Sequence, residues 1–228
     1  MQQFRYIFIT VAMVALTGCQ TNQQVEDRLV EAFGETMFGG DSGGHGEGEL
    51  FSKSGYIAKW KSPVTVAIVE GASAKNTDLT KKSLAELALL SGLTFKWIQP
   101  GAGRINLDIH FSSKREFIIN GNQRAACYAR TGNAPNGRIY SVGIYISSTG
   151  KDEWRTDCLT HELLHALGWR GHTHRVRSAI SYAHGETELT KWDKLMMRTL
   201  YDPRLPPGMS KNDAMPIARA ILREMIQE

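Results

Sequence analysis

The run Thr160-His161-Glu162-Leu163-Leu164-His165-Ala166-Leu167-Gly168-Trp169 constrains the fold more than any other part of the chain. Two histidines four residues apart share one face, about a turn apart, when the segment is an α-helix. On that face their imidazole nitrogens suit a single Zn²⁺ at about 2.0–2.1 Å. Gly168 suits a left-handed position at the helix end, which turns the chain back toward the metal. His172 and His174 follow within one short loop. The alternative is a helix carrying this combination by accident. The strand-helix-strand order upstream, the strand just before the helix and the two later histidines weigh against it.

Upstream, residues 56–60 and 64–69 have strand patterning. Residues 76–90 have helical patterning, with Leu84, Leu87 and Ala88 on one face. Residues 94–98 and 105–111 are predicted as strands. After the turn Asn133-Ala134-Pro135-Asn136-Gly137, the β-prone run 139–147 is a further strand. Two helices close the chain, 190–201 and 214–226, the second with Pro216 in its first turn. With 228 residues, 42% of them hydrophobic, one main domain is expected. The net charge of +4 is a mild excess spread along the sequence, without a Lys/Arg block. That argues against nucleic acid as a partner.

Near the N-terminus, Arg5 precedes an apolar run, 6–16, that is too short for a membrane span. Its end, Leu16-Thr17-Gly18-Cys19, resembles the bacterial lipobox, in which cleavage before the cysteine leaves an acylated Cys as the new first residue. The resemblance implies a lipoprotein signal peptide over 1–18 and a lipid on Cys19. Residues 19–49 then form a lipid-anchored flexible tether, with a short amphipathic helix at 20–38 and a glycine-rich run carrying a solvated His45. The implied location is the bacterial cell envelope, anchored to a membrane: the outer membrane facing the periplasm, or the cell surface. Cys127 and Cys158 remain as a pair where disulfides persist, and are expected to bridge. Closing a loop of about 30 residues stabilises by roughly 3–4 kcal/mol on the chain-entropy model.

The HExxH run with its downstream residues resembles the metzincin clan of zinc peptidases, and within it the matrixin pattern HExxHxxGxxH followed by a methionine turn. His161, Glu162, His165 and Gly168 match. The third histidine departs, because Gly171 stands at the family's position and His172 one residue later, with His174 as a competitor. Ser178-Ala179-Ile180-Ser181-Tyr182 resembles the turn, with Ile180 in place of its methionine. Leu189-Thr190, Asp193, Leu200 and Tyr201 repeat the spacing of the matrixin C-terminal helix, where they are structural. The resemblance implies an α+β zincin-like fold over 50–228: a mixed twisted sheet with an antiparallel edge strand, placed at 139–147, beside the active-site helix, then C-terminal helices. It further implies Zn²⁺ held by His161, His165 and His172, Glu162 as general base toward a zinc-bound water, and Tyr182 either ligating zinc or stabilising the oxyanion, against a reading as a packed aromatic. The segment 60–69 together with Leu200-Tyr201-Asp202-Pro203-Arg204-Leu205 also resembles a bacterial lipoprotein family known as domain of unknown function 2927.

The function expected on these grounds is a zinc metalloendopeptidase acting on a peptide or protein substrate. Two rivals stand beside it: a zinc-bearing, non-catalytic lipoprotein that binds an envelope partner, and a zinc hydrolase of cell-wall peptides. A closed four-ligand shell including His174 or His184 favours the first rival. His110 and His184 otherwise take structural roles.

Overall fold

The run Val64–Glu70, apolar and buried at Val64 and from Val66 to Ile68 before its exposed end, forms β2, the strand around which the sheet is laid. The structure, a computed structural model, describes residues 21–39, 55–61, 63–119, 123–181 and 183–227. It is a mixed α/β protein with a mostly parallel central sheet and, among the described residues, five helices. β2 pairs in parallel with β3 (Phe95–Trp97) on one side and β4 (Leu107–Ser112) on the other. The crossover between β2 and β3 is α2 (Ala74–Ser91), opened by the Ser73 hydroxyl, which accepts from Asn76 N. It is closed by Gly92 at φ 70°, whose N–H donates to Ala88 O.

β4 pairs in parallel with β8 (Arg138–Ser147), and Val142, Ile144 and Ile146 of β8 are buried in the core. The far side of β8 is covered by β7 (Cys127–Asn133), antiparallel to it. β1 (Lys59–Trp60) lies alongside the start of β8, and since Ile139 pairs with both Trp60 and Asn133, β1 occupies the same side as β4. The antiparallel edge strand is therefore β7, which corrects the expectation of residues 139–147 at that edge. β7 escapes pattern reading because its alternation is carried by Cys127, Ala129 and Thr131, of which Ala129 alone is fully buried and apolar. The short hairpin β5 (Phe117–Ile119) and β6 (Gln123–Ala125) has no sequence signal either. Of the strand expected at 56–60, residues 59–60 pair in the sheet, while Tyr56 bridges to Ser210.

Helix α1 (Asn22–Phe38) starts at Thr21 with a capping box to Gln24 and buries Leu29, Phe33 and Met37 completely in the core. Its buried Glu26 takes Arg219 and Arg223 from α5 (Lys211–Gln227) at 2.8 and 2.9 Å. The core thus begins well upstream of Leu50, and residues 22–38 are not tether. Their apolar positions resemble those of a solvated amphipathic helix, and a core partner nearly 200 residues away in sequence has no local signature. The glycine-rich run and His45 lie outside the described residues.

Candidate metal centre

The helix carrying HExxH is α3 (Asp152–Ala166), with Asp152 and Glu153 in its first turn, where acids complement the helix dipole. It packs against β7 and β8 and is tied to β7 by the disulfide Cys127–Cys158, as expected from the sequence. Its C-terminal carbonyls are closed by distant side chains: Trp60 Nε1 donates to Ala166 O at 2.7 Å and the Tyr201 hydroxyl to Leu167 O at 3.0 Å. Gly168 follows at φ 115°, and a Cβ there would stand 2.0 Å from Ala58 O. Backbone conformation and packing both require glycine at that corner.

Beyond the corner the chain returns and brings His172 onto the two helix histidines. His172 Nε2 lies 3.1 Å from His161 Nε2 and 3.2 Å from His165 Nε2, all three residues being buried. His161 Nδ1 donates to Ala179 O at 3.1 Å and His165 Nδ1 to Trp169 O at 2.9 Å. In the neutral rings these bonds commit the N–H groups, so both Nε2 atoms present lone pairs to the same point. Burial, reinforced by His172, pushes the His161 imidazole down to about 3. Burial first, then His161 and His172, pushes His165 well below its ordinary value. Neutral imidazole is the metal-binding form. Tetrahedral Zn–N bonds of about 2.0–2.1 Å place ligand nitrogens roughly 3.3–3.4 Å apart, so the spacing suits a zinc-sized ion with little adjustment.

Two supports hold the three histidines from behind. Asp193, fully buried in α4 (Lys191–Tyr201), closes the capping box with Thr190 and also accepts from Ala179 N at 3.0 Å and from Ser178 Oγ. It therefore fixes the turn whose Ala179 carbonyl orients His161. The loop bearing His172 is held by the last turns of α1. Arg170 N and Gly171 N both donate to Thr36 O, at 2.5 and 3.0 Å. On the far side of His172, Thr173 Oγ1 and Arg175 Nε donate to the two Glu35 carboxylate oxygens at 2.7 and 2.6 Å.

Of the residues singled out from sequence, His161, His165 and His172 converge, and Glu162 is buried in the same helical turn. His174 does not join them, because its Nδ1 is 2.7 Å from Ser181 Oγ and its ring faces His184 at 6.3 Å. His110 is in β4 beside Asp108, at 2.9 Å. Tyr182 and Cys19 lie outside the described residues. Glu35 and Thr36 go unnoticed in the sequence, because nothing near them marks a partner in the 170–175 loop. Trp60 and Tyr201 do carry a signal: both lie in the segments 60–69 and 200–205 singled out from sequence, and the structure gives them the task of closing α3.

Among known families, the model described as "Protein of unknown function (DUF2927)" matches residues 26–220, most of the chain. No curated protein matches.

Proposed function

Because the chain belongs to that family, whose description assigns no function, we propose its role from the site: a zinc-dependent hydrolase of the cell envelope, most simply a metalloendopeptidase of divergent metzincin-like type. The observation that carries the reading is the convergence of three buried imidazole Nε2 atoms around one point, with Glu162 beside the first of them on the helix. Zinc, when bound by His161, His165 and His172, supplies Lewis-acid polarisation of a carbonyl and acidifies water. Glu162 takes the proton from the attacking water and returns it to the leaving nitrogen. Ala179 O and Trp169 O hold the two helix imidazoles in the tautomer that leaves Nε2 bare. Among the described residues three ligand atoms meet, the number catalytic zinc sites use, which favours hydrolysis over a closed structural site. The outer edge of β7 carries no further strand among the described residues and is suited to take an extended peptide by main-chain hydrogen bonds. Tyr182 is retained as the candidate oxyanion donor.

The same reading keeps Cys19 as a lipid anchor and the envelope as the location, supported by the lipobox-like sequence and by a disulfide of the kind that persists outside the cytoplasm. Thr21 already caps α1, so an acylated Cys19 would hold the domain close to the membrane.

The test is metal analysis of the protein together with a broad peptide-library assay on the wild type and Glu162→Gln. Zinc retained in both, with cleavage lost in the variant by about a thousandfold or more, supports the mechanism. Equal cleavage by the two proteins would sink it. Stoichiometric zinc without cleavage of any peptide transfers the reading to a zinc-bearing binding module.

A further inference from the structure

Some of the cations scattered along the sequence meet in space. Lys61, Arg104 and Arg138 are separated by dozens of residues, yet they line one cleft of about 310 Å³ where β1 ends and β2, β4 and β8 begin. Among the described residues no carboxylate lines that cleft, and none of the three cations forms an ion pair. Elsewhere the arginines are commonly paired: Arg175 with Glu31 and Glu35, Arg204 with Asp202 and Glu224, Arg219 and Arg223 with Glu26. Lys61, Arg104 and Arg138 thus put three uncompensated positive charges into one concavity. Like charges so placed repel one another and raise the local concentration of anions.

The backbone beneath these cations is fixed. Thr65 Oγ1 is 2.7 Å from Arg104 O, Thr65 N donates to Asn106 Oδ1 at 3.2 Å, and Asn106 Nδ2 donates to Tyr140 O at 3.1 Å. These bonds lock the starts of β2, β4 and β8 together. Trp60 lines the cleft with its indole N–H already given to Ala166 O, and Tyr140 adds a half-exposed phenol ring at the rim. Polar recognition in the cleft therefore rests mainly on the cations. Two guanidinium groups and an ammonium suit a phosphate, which accepts several charge-assisted hydrogen bonds at once.

We propose that this cleft is a binding site for a phosphate-bearing group of about the size of glycerol phosphate, separate from the metal centre and independent of the hydrolase reading. The chemistry is the same whether the group belongs to a phospholipid head or to a soluble phosphate ester. The volume limits the ligand to one such unit rather than a nucleic-acid strand, which needs a continuous groove with successive stacking platforms.

The test uses the full chain in neutral-detergent micelles, with ³¹P NMR titration of glycerol 3-phosphate in one arm and of phosphatidylglycerol mixed into the micelles in the other. Saturable binding is expected in at least one arm. It should weaken by roughly tenfold or more in the Lys61→Gln/Arg104→Gln/Arg138→Gln variant and fall with added salt. The charge-conserving Arg104→Lys/Arg138→Lys variant should stay within about fivefold of the wild type, and the exposed Arg198→Gln should not change it. Binding of glycerol 3-phosphate alone assigns a soluble ligand; binding of the lipid, alone or with it, assigns a headgroup. Equal binding by wild type and triple variant overturns the proposal, as does the absence of saturable binding in both arms.

Discussion

Replacing Glu35 by Ala should loosen the metal centre without touching a ligand. Glu35 stands in α1, and its carboxylate accepts from Thr173 Oγ1 at 2.7 Å and from Arg175 Nε at 2.6 Å, clamping the chain immediately after His172. A hydrogen bond to a charged acceptor contributes about 1.5–3 kcal/mol. The Arg175 pair adds only about 0.2–1 kcal/mol, because Arg175 is 45% exposed and solvent screens it. Part of that total reaches the metal, since Thr36 O still holds the other side of the loop through Arg170 N and Gly171 N. Zinc affinity should therefore fall by roughly ten- to a hundredfold, the range of supporting-residue losses in metal sites. Competition against a chromophoric chelator at pH 7.5 measures it, with denaturant unfolding of the metal-free protein alongside. Glu35→Gln keeps an acceptor and should lose less. Zinc affinity within about threefold of wild type, in a Glu35→Ala protein whose metal-free stability has dropped, would refute the clamp and leave Glu35 a fold residue only.

Asp193→Ala frees the turn at Ala179 and should lower both zinc affinity and stability, the latter by at least 2 kcal/mol, because Ser178 Oγ and Ala179 N lose a buried partner; unchanged denaturation and chelator titrations would contradict this. Removing the bridge by Cys127→Ser/Cys158→Ser, which opens a loop with a sequence separation of 31, should cost about 3–4 kcal/mol in a urea titration. The metal-free protein should lose stability on acidification. His161 titrates near 3 when folded against 6.5 when free, so the unfolded chain binds the extra proton between those values and stability falls as pH drops through that window. Thermal midpoints of chelated protein from pH 7 to 4.5 check the sign, and a flat or rising midpoint would contradict it.

What the sequence makes legible follows the range of the interaction that specifies it. His161 and His165 are four residues apart on one helix, so their shared face is a local fact, and Gly168 marks the corner for the same reason. His172 is legible as a nearby candidate. What selects it over His174 is a pair of N–H groups meeting the Thr36 carbonyl, more than 130 residues away in sequence. β2 and β8 come through because they are rich in β-branched and aromatic residues, and α2 because Leu84 and Leu87 recur on one face. β7 does not, because an edge strand bearing Cys127, Ala129 and Thr131 toward the helix needs little apolar patterning once a disulfide and the β8 ladder hold it.

Helix α1 shows the same logic from the functional side. Its sequence is ordinary for a solvated amphipathic segment, yet its first half is pinned to α5 through Glu26 and its last turns hold the 170–175 loop. Leu29, Phe33 and Met37 between those ends are fully buried, so the helix cannot leave without opening the core. At 17 residues it spans about 25 Å, a rigid link to the loop that carries His172 rather than slack. If Cys19 carries the lipid, the segment that anchors the protein is continuous with the segment that positions His172. Attachment to a membrane and geometry of the metal centre then depend on one element.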